Sequence, residues 1–289
     1  MTGAFFKKNF FYYAALFALW AAFLLVRYSG HRYEEAPVPS AGLEQSAQDP
    51  ANAAASLQAK VTELRQRLAA AATHAEKSGV LQQLGYAYAN LYNATGSISF
   101  RDSAVASMRE ASDSDPGSAP LHYSLGKFYG ALGNPAGALE QYRLAMRCDS
   151  AYAPGFIEAA VCSYISFHKV ADAARFGNRA LQIDSHAPLC HLILGLIALD
   201  ANDFEAGRMN LDQEIVADNA AMAAGAQALD PGSIRFAATT ARYRLMQLYC
   251  SKIPDREKAG ANLDEYLKLE TDPSKKAAAV EAVKARWGG

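Results

Sequence analysis

Three alanine–proline steps, Ala119-Pro120, Ala153-Pro154 and Ala187-Pro188, recur at one constant interval. Each follows an acidic breaker: Asp115-Pro116, Asp149-Ser150 and Asp184-Ser185. A fixed period within the range of about 20–50 residues constrains a chain more than its composition does. It marks units of two helices that cannot bury their apolar stripes alone and must lean on the next unit along. Each step is expected to open an apolar helix.

One unit shows the logic. In Ala119 to Ser150, Leu121, Leu125, Phe128 and Leu132 share one face of a first helix. Gly133-Asn134-Pro135 breaks it, with Asn134 suited to a cap and Pro135 to a first helical turn. Ala138, Tyr142 and Ala145 then line a second helix. Small residues at Gly126, Ala138 and Ala145 let the paired helices approach, while Tyr129 and Tyr142 are expected to fill the space between them.

These residues resemble the tetratricopeptide repeat, which pairs a Leu-Gly step and an aromatic in its first helix with spaced alanines and an aromatic in its second. Leu125-Gly126, Tyr129, Ala138, Tyr142 and Ala145 carry the match. An earlier unit has Leu84-Gly85, Tyr88, Ala104, Met108 and Ala111; a later one has Leu194-Gly195, Ala206 and Leu211. The unit between is degenerate, with Ala160-Val161 at the Leu-Gly step, and a fifth, weaker one holds Tyr249, Ala259, Leu263 and Tyr266. The resemblance implies an all-α, right-handed solenoid of about five helix pairs over residues 56–287, closed by a capping helix from Pro273 to Trp287. It also implies a concave groove lined by the first helices. Carried onto this chain, the groove would present Gln82, Tyr86, Asn90, Tyr123, Lys127, Glu158, Leu192, Leu196, Tyr243 and Gln247. The Lys/Asn clamp by which some relatives hold a peptide carboxylate is missing, because Gln82, Tyr86 and Tyr123 occupy its places. For Leu192 and its neighbours, core packing competes with a groove role.

The period is broken twice. Gly85 and Gly126 stand further apart than one period by seven positions, and the excess is placed near Asn93–Ser97 as a loop between helices. From Gly195 to Met246 the excess is larger and falls around Asn219–Gly232, as a short extra helix or an extension of the helix before it. Insertions in such arrays fall on loops and often shape a binding face.

Residues 1–8 form a short tail before Asn9–Val26, a stretch without a single charge. As a helix that stretch spans about 27 Å, near the roughly 30 Å of a hydrocarbon core. It has aromatic and basic flanks, and it is too long and lacks the small-residue site of a cleaved signal. A single transmembrane helix over 9–27, bound to membrane lipid, is the expectation. Residues 28–55, with Pro37, Pro39 and Pro50, read as a Pro/Ala/Ser-rich linker. Lys7 and Lys8 before the span balance Arg27 and Arg32 after it, so charge is neutral on orientation. A short N-terminal tail inside is the commoner arrangement. It would put the repeat domain on the periplasmic or extracytoplasmic side of an inner, cytoplasmic membrane.

The formal net charge is -1, without the basic excess expected of a nucleic-acid surface. None of Cys148, Cys162, Cys190 and Cys250 forms a CxxC pair. His186 and His191 are five apart and do not share a helix face, and His122 and His168 read as helix residues with one polar edge. No metalloprotease, phosphate-loop or serine-hydrolase motif occurs. The expectation is a protein without cofactor, metal or catalytic centre, whose partners are other proteins. It would act as a membrane-anchored interaction scaffold, an accessory or assembly subunit of a larger membrane complex. The alternative is a transient biogenesis factor that binds client polypeptides in cytochrome maturation, envelope assembly or secretion.

Overall fold

The computed structural model describes residues 50–223 and 231–288. The transmembrane helix expected at 9–27, the tail and most of the linker lie outside them. Among the described residues there are twelve helices and no strand, and no helix is long and apolar enough to cross a membrane. We number them α1 (Pro50–Ala70), α2 (His74–Thr95), α3 (Ile98–Ser114), α4 (Ala119–Ala131), α5 (Pro135–Cys148), α6 (Ala153–Ile165), α7 (Val170–Ile183), α8 (Cys190–Asp200), α9 (Phe204–Ala223), α10 (Pro231–Ser251), α11 (Arg256–Leu269) and α12 (Pro273–Trp287). After α1, five pairs run from α2/α3 to α10/α11, and α12 follows as the single terminal helix. The last residues of the expected linker are already helical: α1 starts at Pro50, where a first-turn proline costs no hydrogen bond.

The chain divides into two compact units. One holds the described residues up to Ser114 together with Lys127–Asn134; the other holds Asp115–Gly126 and Pro135 onward. α4 therefore gives its two halves to different units.

In the first unit, α1 packs on α2 and α2 on α3. Thr73 and Glu76 start α2 with a reciprocal capping box. Gly85 lets α3 come close: a Cβ there would stand 2.8 Å from Met108 Cγ. Leu64, Leu81, Leu91, Met108 and Phe128 are fully buried.

The expected loop at Asn93–Ser97 is mostly helix. Asn93 to Thr95 complete the last turn of α2, and only Gly96 and Ser97 separate it from α3. Gly96 takes φ 69, the left-handed geometry that lets its N–H reach back to Tyr92 and that glycine adopts without strain. The seven extra residues go into length: α2 runs ten residues past Gly85, where α4 runs five past Gly126. α3 reaches Met108 three residues later than α5 reaches Tyr142, and the turn between α2 and α3 is one residue shorter.

In the second unit each helix from α5 to α11 packs on the next. α6 also touches α8, and α8 touches α10, so first helices of successive pairs meet as stacking requires. One core runs through Ile157, Ala180, Leu192, Leu211, Ile215, Leu245 and Tyr249. A second, of Met246, Leu263, Tyr266 and Ala279, sits beneath α12. Two of the three Ala-Pro steps open helices as expected, at Ala119 and Ala153. The third does not: α8 begins only at Cys190, because Leu189 adopts φ 68. The insertion after Asn219 begins as an extension of α9 to Ala223; 224–230 lie outside the described residues.

Candidate functional site

The pairing of α4 and α5 shows how the repeat places its aromatic residues. Gly126 faces Tyr142 so closely that a Cβ would lie 2.5 Å from ring atom Cε1 and 2.7 Å from Cδ1. The buried Tyr142 ring stands 6.1 Å from Tyr123, which meets Tyr152 edge-on at 5.7 Å. Burial, reinforced by the nearby Glu158 charge, pushes the Tyr142 phenol above its ordinary range. Tyr123, Tyr152 and Glu158 are half-buried, leaving part of an aromatic and acidic surface open over α4 and α6.

Tyr129 does not fill the space between α4 and α5. It is half-buried, and its hydroxyl accepts a 2.6 Å hydrogen bond from Arg109 Nε on α3. The guanidinium also lies over the ring, 5.3 Å from its centre.

All ten expected groove residues are on first helices, but they are not equivalent. Gln82, Tyr86 and Asn90 follow one another at four-residue spacing on α2 and are half-buried; Tyr86 packs at 5.9 Å on Phe128. Lys127 is half-buried on α4, Glu158 on α6, Leu196 on α8, and Tyr243 and Gln247 on α10. Tyr243 packs at a tilt on Tyr266, with ring centres 5.3 Å apart. Leu192 is 2% exposed inside the main core. It has no surface to offer a partner, because α8 turns that face against α9 and α10. Leu196 packs against the same core but keeps part of its surface.

Two buried acidic side chains escaped the sequence reading. Glu214 on α9 is fully buried, and its carboxylate accepts from the backbone N–H of Leu189 and, at 2.9 Å, of Leu192. Those N–H groups belong to the irregular start of α8, which has no cap from its own side chains. Asp218, one turn further along α9, is buried with neither carboxyl oxygen hydrogen-bonded among the described residues. Burial, joined for Asp218 by the charge of Glu214, raises both groups above the ordinary carboxylate range. The only sequence signal was two acids four apart within LDQEIVAD, a stretch that otherwise reads as a buried helix face.

All four cysteines are free. Burial raises the thiols of Cys162, Cys190 and Cys250, which keeps them protonated and poorly nucleophilic. His122 is a buried structural residue: Nε2 donates to the Pro116 carbonyl at 3.1 Å, and Nδ1 stands 2.9 Å from the Gln141 side-chain amide. His168 is not helical; it turns the chain after α6 at φ 54. Among the described residues no three His, Cys, Asp or Glu side chains are grouped to hold a metal ion.

No family model matches this sequence, and no curated protein matches it. Solved structures do resemble it. BtubC (BKLC) from P. vanneervenii aligns over 78% of this chain and 95% of its own, at 15% identity and a TM-score of 0.55. PilW, described as a widely conserved type IV pilus biogenesis factor, aligns over 73% and 89%, at 17% identity and 0.53. PilF of Pseudomonas aeruginosa aligns over 81% and 99%, at 14% identity and 0.51. At such identities the likeness is one of fold. The helix pairs of this chain are arranged as in those solved structures.

Proposed function

We propose that this chain is a non-catalytic docking subunit that holds a segment of another protein on the exposed sides of its first helices. The observation that carries the reading is the row of half-buried Tyr and amide side chains at Gln82, Tyr86 and Asn90, with Tyr123, Glu158, Tyr243 and Gln247 on later first helices. Tyrosine is suited to interfaces because a large rigid ring comes with a polar tip and little rotamer entropy to lose. In this reading a membrane span at 9–27 keeps the repeats beside their partners, where effective concentration lets weak contacts suffice. The partner is then a subunit of a larger membrane complex, and the repeats stand on the extracytoplasmic side.

The test is capture of the full-length chain through a C-terminal tag after mild detergent extraction. The expected result is a fixed set of partner subunits at constant stoichiometry, lost from Tyr86→Ala/Tyr123→Ala/Tyr243→Ala. Leu192 stays untouched, since its truncation would unfold the core instead. Equal capture by wild type and triple variant overturns the groove assignment; repeats reactive to a cytoplasmic thiol probe overturn the topology.

A second reading is supported by the fold likeness to PilW, whose description is that of a biogenesis factor. There the chain holds its clients only during assembly. Salt-labile capture of several substoichiometric clients favours it over the docking subunit.

A further inference from the structure

The first unit contains a cleft of about 460 Å³ that belongs to no face considered so far. It is lined by Arg101, Asp102, Val105, Ala106 and Arg109 of α3 and by Tyr129, Leu132 and Asn134 at the end of α4. Successive residues turn about 100° around a helix, so Tyr129 points well away from the side of α4 that carries Lys127.

The charges in the cleft are unequally placed. Arg101 donates from Nε and Nη2 to Asp102 Oδ1, both at 3.1 Å, and so its charge is matched within the cleft. Arg109 has no carboxylate partner among the described residues. Its Nε is engaged by the Tyr129 hydroxyl and its planar face by the Tyr129 aromatic ring, which fixes the plane of the guanidinium. A guanidinium held in one plane presents its remaining N–H fork to a carboxylate at little entropic cost. Val105, Ala106 and Leu132 supply an apolar share suited to the methylenes of an acidic side chain. A cleft of this size is in the small-ligand range, about 300–1,000 Å³.

We propose that this cleft docks a glutamate or aspartate side chain from an acidic segment of a partner protein, with Arg109 as the recognising charge and Tyr129 as its positioning residue. The site shares no residue with the first-helix contacts and does not depend on them.

The probe is fluorescein-labelled hexaglutamate, with hexaglutamine as its neutral counterpart, read by anisotropy against the full chain in detergent. Hexaglutamate binds more tightly than hexaglutamine, and the difference shrinks as salt screens it. Arg109→Gln weakens hexaglutamate binding about tenfold, the scale of one lost charge-assisted pair. Tyr129→Phe keeps the ring, frees the guanidinium plane and costs a few-fold. Lys60→Gln, an equal charge change at an exposed position of α1, changes binding less than twofold. Far-UV circular dichroism confirms that each variant is folded, and the Tyr86/Tyr123/Tyr243 triple variant binds hexaglutamate as wild type does. Equal binding of the two peptides overturns the proposal. So does an equal loss in Lys60→Gln and Arg109→Gln, which would mean diffuse charge attraction rather than a site.

Discussion

Gly126→Ala isolates the contact on which the repeat pairing rests. A methyl group there would stand 2.5, 2.7 and 3.2 Å from Cε1, Cδ1 and Cζ of Tyr142. The ring is 3% exposed and bounded by Tyr123, so it has little room to withdraw. Overpacking of this kind costs about 1–3 kcal/mol. Against it stands the helix-propensity gain of Ala over Gly, about 1 kcal/mol. The net expectation is a loss of about 1 kcal/mol. Gly79 and Gly260 are also inside helices, but a Cβ at either meets nothing within 4 Å. The same substitution there should stabilise by about 0.4–1 kcal/mol, so the sign reverses between sites that a propensity scale treats alike. Urea titration followed by far-UV circular dichroism measures each shift, provided the slope m is unchanged between variants. In a Tyr142→Leu background the ring is gone and the cost of Gly126→Ala should largely vanish, a coupling that a double-mutant cycle reads directly. The reasoning fails if Gly126→Ala is as stable as Gly79→Ala, or if Tyr142→Leu leaves its cost intact.

Three further outcomes are expected. Phe128→Ala, which empties the site of a side chain with 0% exposure, should cost about 3–5 kcal/mol in the same titration. Glu214→Ala removes the acceptor for two buried N–H groups at the start of α8 and should cost about 3 kcal/mol or more, with faster amide exchange at Leu189 and Leu192 as its local signature. The Glu214–Asp218 pair has folded pKa values raised by burial. Its contribution to stability is full below the unfolded carboxylate range and is lost as pH rises through the raised folded values. The wild-type urea midpoint should therefore fall from mildly acid to mildly alkaline pH, and Asp218→Asn should flatten that slope; parallel profiles would refute the assignment.

Helix pairing was legible in the residue pattern because its signals are local. A Leu-Gly step, alanines at helical spacing and one breaker per period state which face is buried and where the chain turns, and neither depends on distant atoms. Gly85, Gly126 and Gly195 all stand against a bulky residue of the partner helix, Met108, Tyr142 and Leu211. A glycine inside a helix costs about 0.5–1 kcal/mol relative to Ala, which the close approach of the partner helix offsets at these positions. The capping helix from Pro273 to Trp287 was equally readable, with Asp272 accepting from the N–H groups of Ser274 and Lys275 to start it.

What tertiary packing decided is which of several permitted faces each side chain took. The pattern allowed Tyr129 to enter the α4–α5 seam, but Gly126 had already given that space to Tyr142, and Tyr129 turned to Arg109 instead. Leu192 sits at a groove position by register, yet α8 turns that face against α9 and α10, and the helix itself starts late, at Cys190. That late start depends on a carboxylate distant in the chain, Glu214, reaching the N–H of Leu189. Repeat period is a property of neighbours in the chain and can be read from letters. Capping and exclusion between helices depend on atoms that meet only after folding, and there the sequence offers alternatives and the packed structure selects one.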